Sequence, residues 1–312
     1  MTSKLHFARF HFEPAITITT QEEEKIKLEK DKQKLLKIIS FETDINKYLQ
    51  ESKHKNLSNE TISWQFGGIN AEDDYIYGKL RKVKIKKTTL LDNDNKDFKP
   101  GVQEDGEVCN FLFYIKNHIF TYESKKNVGS KAPILIIESI FNSYYSNTDN
   151  TDDTNKKEKI IFELLKNRKE ISQRISELKI ITYVKLSLYP TNPNSSSSSK
   201  NMDEYLKSIG AEKADFEYFA SEKGNGINLN AANGIVKSGI RLAEEGYGNA
   251  RIKGFKEVEI KEEKGTSRRK IDVINSVGFP IEREVDLTSD NKGNRKTLIR
   301  TTSDLIKSYN EP

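Results

Sequence analysis

The residues from Asn167 to Asn194, NRKEISQRISELKIITYVKLSLYPTNPN, change period part-way along, and that change restricts the fold more than any other stretch. Ile171, Ile175 and Leu178 recur at four-then-three spacing, which sets apolar side chains on one face of a helix. After Leu178 the period shortens to two. Ile181, Tyr183, Lys185 and Ser187 fall on one side of an extended strand, and Thr182, Val184, Leu186 and Leu188 on the other. Pro190 and Pro193 then end any ladder, because each lacks an N–H and restricts the residue before it, and Ser195 to Ser199 continue as a polar loop. A helix, a β-branched strand and a hard stop in one short segment predict an α+β fold of mostly antiparallel sheets, packed helices and long polar loops.

The rest of the chain supplies matching pieces. Leu5 to Phe12 alternate with aromatic residues on both sides, which predicts a central strand. Gln21 to Ser40 open acidic, turn lysine-rich and carry a seam of Leu28, Leu35, Leu36 and Ile39, the pattern of an amphipathic helix, and a further helical piece follows near Thr43 to Glu51. Thr61 to Gly68 and Asp74 to Lys87 are two expected strands; Asp92 to Gly106, dense in turn residues, is an expected loop. Val108 to Glu123 reads as a core hairpin with an exposed tip at Lys116-Asn117-His118, and Pro133 to Tyr145 as a helix.

The polar run Asn147 to Lys157 suggests an N-terminal α+β region over 1–146, a loop over 147–158 and a C-terminal α+β region over 159–312, or one continuous domain interrupted by an insertion. Short helices are expected from Met202 to Gly210 and from Ala231 to Gly246, with a strand from Arg251 to Ile260. The tail, with strands at Ile271 to Val277 and Ile281 to Leu287, a turn at Asp290 to Gly293 and then Lys296 to Arg300, predicts a terminal β-meander.

Charge points weakly to a polyanion. The 312 residues carry a net charge of +5 with 32% charged residues, while 13 Tyr and 15 Phe provide material for a core. Lys82, Lys84 and Lys86 project from one strand face about 7 Å apart, close to the spacing of nucleic-acid phosphates, with Arg81 beside them. A lysine-guarded edge strand gives the same row. Arg251 and Lys253 share a second strand face, and Arg268, Arg269 and Lys270 open the tail, where Lys292, Arg295, Lys296 and Arg300 add charge. Arg81, Lys82, Lys84, Lys86, Arg251, Lys253, Arg268, Arg269 and Lys270 are therefore the candidate nucleic-acid-binding residues, as phosphate contacts or as scattered solvated charges.

Catalytic signatures are sparse. HExxH, CxxC, GxSxG, kinase, dinucleotide and P-loop patterns are absent, so no cofactor is expected. DNDNKD does not place glycine and glutamate as a calcium loop requires, and the one cysteine, Cys109, excludes an internal disulfide framework. His6 and His11 sit on the first strand with no partner at metal-ligand spacing, so no metal is expected there. Glu60, Glu72, Asp73 and Asp74, or Glu282, Glu284 and Asp286, would have to cluster to make a metal-dependent nuclease. No export signal or membrane-spanning run is evident, so a cytoplasmic protein is expected.

The succession FLFYIKNHIFTYE, a helix, a polar interval, RKEISQRISELKIITYVKLSLYPTNPN and LAEEGYGNARIKG resembles a bacterial family of phage-defence-associated proteins of unknown function. In that family an ISxLxxxxxVxIxxPNP-like segment precedes a GYG or GYV turn. In layout it is also similar to the lambdoid Rex exclusion protein A and the Kiwa B protein. The likeness spans Asn110 to Gly254, with PTNPN in place of the shorter PNP and with longer loops. It implies antiviral defence through DNA or RNA binding, and it transfers no active site. A nuclease effector of abortive infection and a sensor or scaffold for a phage or neighbouring protein are the alternatives, and self-association stays open.

Overall fold

The computed structural model describes residues 2–13, 21–40, 42–59, 61–92, 97–147, 158–167, 173–191, 199–220, 226–257, 269–275, 281–287 and 290–310. Its first strand, β1 (Thr2–Glu13), is central: β5 (Ile119–Ser124) pairs along one edge, while β11 (Glu282–Asp286) and β6 (Lys159–Leu164) share the other. Beyond β5 come β4 (Asp97–Tyr114), β3 (Tyr75–Asp92) and β2 (Ile62–Ala71), giving a seven-stranded sheet in the order β11-β1-β5-β4-β3-β2 with β6 beside β1. All described pairings in it are antiparallel.

Both faces of this sheet are covered at its centre, which explains why β1 is aromatic on both sides. Ala8, Phe10 and Phe12 join Phe111, Phe113 and Phe120 in a core that includes Leu35 and Ile38 of α1 (Gln21–Ile38), Ile45 and Leu49 of α2 (Ile45–Gln50), and Ile136, Ile137 and Ile140 of α3 (Ala132–Asn147). Leu5 and Phe7 point the other way, into a cluster with Leu112, Leu298 and Leu305. The last two belong to the C-terminal helix, Asn291–Asn310.

A second sheet, β10-β9-β7-β8, is built from β7 (Ile180–Leu188), β8 (Ala214–Phe219), β9 (Gly248–Glu257) and β10 (Arg269–Asn275). Helices α4 (Lys200–Ser208) and α5 (Ala231–Glu244) cover one face, burying Val184, Leu186, Leu188 and Ile252 against Met202, Leu206, Val236 and Ile240. The alternation expected of 181–188 therefore has its apolar side on these helices. The helix expected before it is described only at 173–176, and Ile171 lies outside the described residues.

The GYG turn joins the two sheets. Gly246, at φ 85°, ends α5 just after its C-cap Glu245, and Gly248 runs so close to β7 that an added Cβ would lie 2.1 Å from the Ser187 carbonyl oxygen. Between them, Tyr247 is buried under the Arg9 guanidinium of β1, whose carbon sits 4.4 Å from the ring centroid. Arg9 Nη1 donates to Tyr247 Oη at 2.7 Å and to the Asn117 carbonyl at 3.0 Å, and Arg9 Nε donates to the Glu245 carbonyl.

Three expectations change. Residues 97–106 are not loop but the first half of β4, running beside β3 from Asp92↔Asp97 inward; Pro100 is accommodated because β4 meets β5 only at 111–114, leaving its other edge unpaired in the register there. The hairpin tip is exposed only in part: Lys116 is exposed as expected, but His118 is 0% exposed at φ 51°, stacked on Phe10. The terminal meander does not form, because β10 joins the second sheet, β11 pairs with β1, and Lys296 to Arg300 lie in the last helix, α6. Strands from both sides of 147–158 enter the larger sheet, since β6 and β11 flank β1.

Candidate nucleic-acid interface

The lysine row of β3 exists as expected, but the strand opposite carries its counter-charge. In register, Lys82 faces Glu107, Lys84 faces Asp105 and Lys86 faces Gln103. Lys86 Nζ lies 3.4 Å from Asp105 and Arg81 lies 3.9 Å from Glu104. Lys82 donates to the Asn127 carbonyl at 2.8 Å, sits 5.2 Å from the Trp64 ring centroid, and has its pKa lowered by burial. Like and unlike charges alternate across this hairpin, so its field at a distance is largely cancelled.

The open face of the second sheet is different. Across β8, β7 and β9, Phe219, Tyr183 and Lys253 form one row; Glu217, Lys185 and Arg251 form the next; Asp215, Ser187 and Asn249 form a third. Rows two residues apart stand about 7 Å from each other along a strand. Phe219 is 74% exposed and its ring centroid is 5.1 Å from that of half-buried Tyr183, at 53°. Lys253 Nζ lies 5.1 Å from the Tyr183 centroid on the other side, and Arg251 is exposed. Lys185 is held by Glu217, whose hydrogen bond raises the lysine pKa, and Ser187 is bonded to Asp215. Among the described residues no carboxylate pairs with Arg251 or Lys253. The acids thus line the β8 side and the unpaired cations the β9 side.

Of the other candidates, Arg269 and Lys270 begin β10, opposite Glu257 and Lys256 in register, and Arg268 lies outside the described residues. Lys292 and Lys296 are exposed on α6, and Arg295 of the same helix pairs with Glu72 at 3.2 Å. Glu282, Glu284 and Asp286 do share a face of β11, about 7 Å apart at each two-residue step. Glu282 also pairs with Lys4 at 3.2 Å. Glu60 lies outside the described residues, and among the described residues no three His, Cys, Asp or Glu side chains are placed to hold a metal ion.

Buried polar groups lie on both faces of β1: His118 of the β4–β5 turn is beside Asp31 of α1, and His11 lies on the opposite face of the strand, its ring centroid 4.4 Å from that of Tyr189. The ring nitrogens of His11 and His118, Lys27 Nζ and Asp31 Oδ2 are without hydrogen-bond partners among the described residues. His118 Nε2 is 3.6 Å from Asp31 Oδ2, beyond hydrogen-bond reach. Burial is the chief cause of the low pKa values of His118 and of His11, which falls to about 3, and it lowers Lys27 to about 8. Both imidazoles are at most 5% exposed, so they cannot meet a macromolecular substrate in this conformation.

Arg251 and Lys253 of this face were candidates from the sequence, and Tyr183 and Phe219 were not. The signal was present: each is an aromatic residue at a polar-face position, Tyr183 in step with Lys185 and Ser187, Phe219 in step with Glu217 and Asp215. Fold and site together define an α+β protein with helices behind a small antiparallel sheet and rings and cations on its open front. The chain belongs to the family of a domain of unknown function, DUF4747, whose model matches residues 15–276. No curated protein matches it. No helix among the described residues is long and apolar enough to cross a membrane.

Proposed function

We propose that this protein binds nucleic acid on the open face of the second sheet, Arg251 and Lys253 contacting phosphates, and that it does so in antiviral defence. The observation that carries the binding is the placement of two cations without carboxylate partners on one exposed face, in neighbouring rows of β9. The defence role is supported only by the resemblance in segment order. The β3 cations are secondary contacts, since Arg81, Lys82 and Lys86 would each have to leave a partner within the protein.

Phosphate binding makes affinity depend on salt, with a slope falling by about one for each contact removed. Anisotropy titrations of labelled oligonucleotides over a salt series test this. The double variant Arg251→Gln/Lys253→Gln is expected to bind weakly with a slope smaller by about two, while Lys82→Gln/Lys86→Gln changes it less. Failure of every DNA and RNA probe to bind at low salt, or an unchanged slope in the Arg251/Lys253 variant, would refute the proposal.

A further inference from the structure

We infer that the ligand of this face is single-stranded, with two successive unpaired bases stacked on Tyr183 and Phe219 and the phosphates running on the β9 side. The inference rests on the phosphate-binding reading above and adds the part of the ligand that the cations cannot specify.

Phe219 is a large aromatic ring at the edge of the open face. Burying such a ring would contribute about 1.5–3 kcal/mol, yet it stands 74% exposed on an edge strand. Its neighbour across the ladder is a second ring, Tyr183, and the next residue in the row is a cation, Lys253. Of the other large exposed apolar residues, Ile26, Val108 and Ile209 are aliphatic and offer no ring face, and Tyr205, 40% exposed, belongs to α4, its ring 6.1 Å from that of Phe216. A ligand for this row must offer flat, polarisable faces and negative charge together.

That requirement separates ligand classes. An apolar peptide would satisfy the rings and leave the cations desolvated; a cationic ligand would be repelled by Lys253 and Arg251. Duplex DNA or RNA offers phosphates, but its base faces are occupied by neighbouring pairs. An unpaired strand offers both, and stacking tolerates any base because every base has a π-face. Centroids 5.1 Å apart on adjacent strands accommodate consecutive bases splayed across the sheet. Orientation follows from charge: the cations without carboxylate partners, Arg251 and Lys253, stand on β9, whereas on the β8 side Glu217 and Asp215 already occupy Lys185 and Lys213, so the backbone lies over β9 and the bases reach towards β8. Lys253 must swing from Tyr183 to a phosphate, giving up a weak exposed cation–π contact for a stronger charge-assisted bond.

The test compares four labelled probes of equal phosphate number on the full chain: oligo-dT, oligo-U, an abasic strand and a duplex. Oligo-dT and oligo-U are expected to bind about tenfold more tightly than the abasic strand and the duplex. Phe219→Ala and Phe219→Leu should each lose about that factor with an unchanged salt slope, and Phe219→Trp should keep it, because a ring rather than bulk apolar surface is required. Phe219 is exposed enough that its replacement leaves the fold intact, which circular dichroism checks; Tyr183→Ala is the companion variant. Equal binding of all four probes with no effect at Phe219, while Arg251→Gln/Lys253→Gln still weakens binding, overturns the stacking inference and leaves the phosphate reading standing. No binding by any probe removes both.

Discussion

Two buried imidazoles couple the stability of this protein to pH. His11 has its pKa lowered to about 3, chiefly by burial, and that of His118 is lowered for the same reason. Below the unfolded value of 6.5 the unfolded chain binds protons that the folded rings refuse, so folding stability is greatest above about pH 6.5 and falls as pH drops towards 3. Each unit in that window removes up to about 1.4 kcal/mol through His11, and His118 adds to the loss in the same direction. Urea midpoints measured from pH 7.5 to 5 should fall, and His11→Leu should flatten the curve; an unchanged slope in that variant would mean that the acid sensitivity lies elsewhere. At the same scale, side-chain types were legible in the sequence but their partners were not. The row Lys82, Lys84, Lys86 was visible, whereas Asp105 and Glu107 stood in a segment dense with turn residues and gave no sign of facing it.

Among the elements, strands with a clean period and helices with a glycine stop were readable, because the deciding signals lie within a few residues. Gly210, at φ 64° after α4, and Gly246 after α5 end their helices as anticipated. α6 was hidden because its buried face runs Asn294, Leu298, Thr301, Thr302, Leu305, with polar residues in three of five inward positions, two of them threonines. Their hydroxyls are satisfied locally, Thr301 Oγ1 donating to the Thr297 carbonyl and Thr302 Oγ1 to that of Leu298, both at 2.8 Å. The Asp290-Asn291-Lys292-Gly293 run resembled a hairpin turn, yet Asp290 caps the helix, accepting from the Lys292 and Gly293 N–H groups at 3.0 and 2.9 Å. Asp290→Ala should lower stability by about 1 kcal/mol, and Asp290→Asn or Asp290→Ser by much less. Equal losses in all three, read from chemical unfolding, would show that the cap does not hold α6 in place.

At the scale of the whole molecule, the position of the open face depends on how the second sheet is held to the first, and that connection could not be read locally. β11 pairs with β1 in the register Lys4↔Glu284, and Arg9 reaches the far end of α5, contacts set by the folded topology alone. Arg9 is one tie, alongside Glu163 and Lys166, which both bond Asn249 of β9: 9% exposed, it donates to the carbonyls of Asn117 and Glu245 and to the Tyr247 hydroxyl, so one guanidinium joins β1, the hairpin tip and the GYG turn. Hydrogen bonds from a charged donor contribute about 1.5–3 kcal/mol each, and removing the donor leaves buried carbonyls unpaired. Arg9→Met keeps much of the side-chain bulk and removes all of these bonds, so it should cost about 3 kcal/mol or more, against about 1 kcal/mol for Tyr247→Phe. The loss should also be uneven. With the tie gone, β7, β8 and β9 keep their own core with α4 and α5 while losing their anchor to β1, so hydrogen exchange in Arg9→Met should accelerate in those strands before it does in β1 and β5. If the two sheets lose protection together, they unfold as one cooperative unit, and contacts other than Arg9 fix the position of the open face.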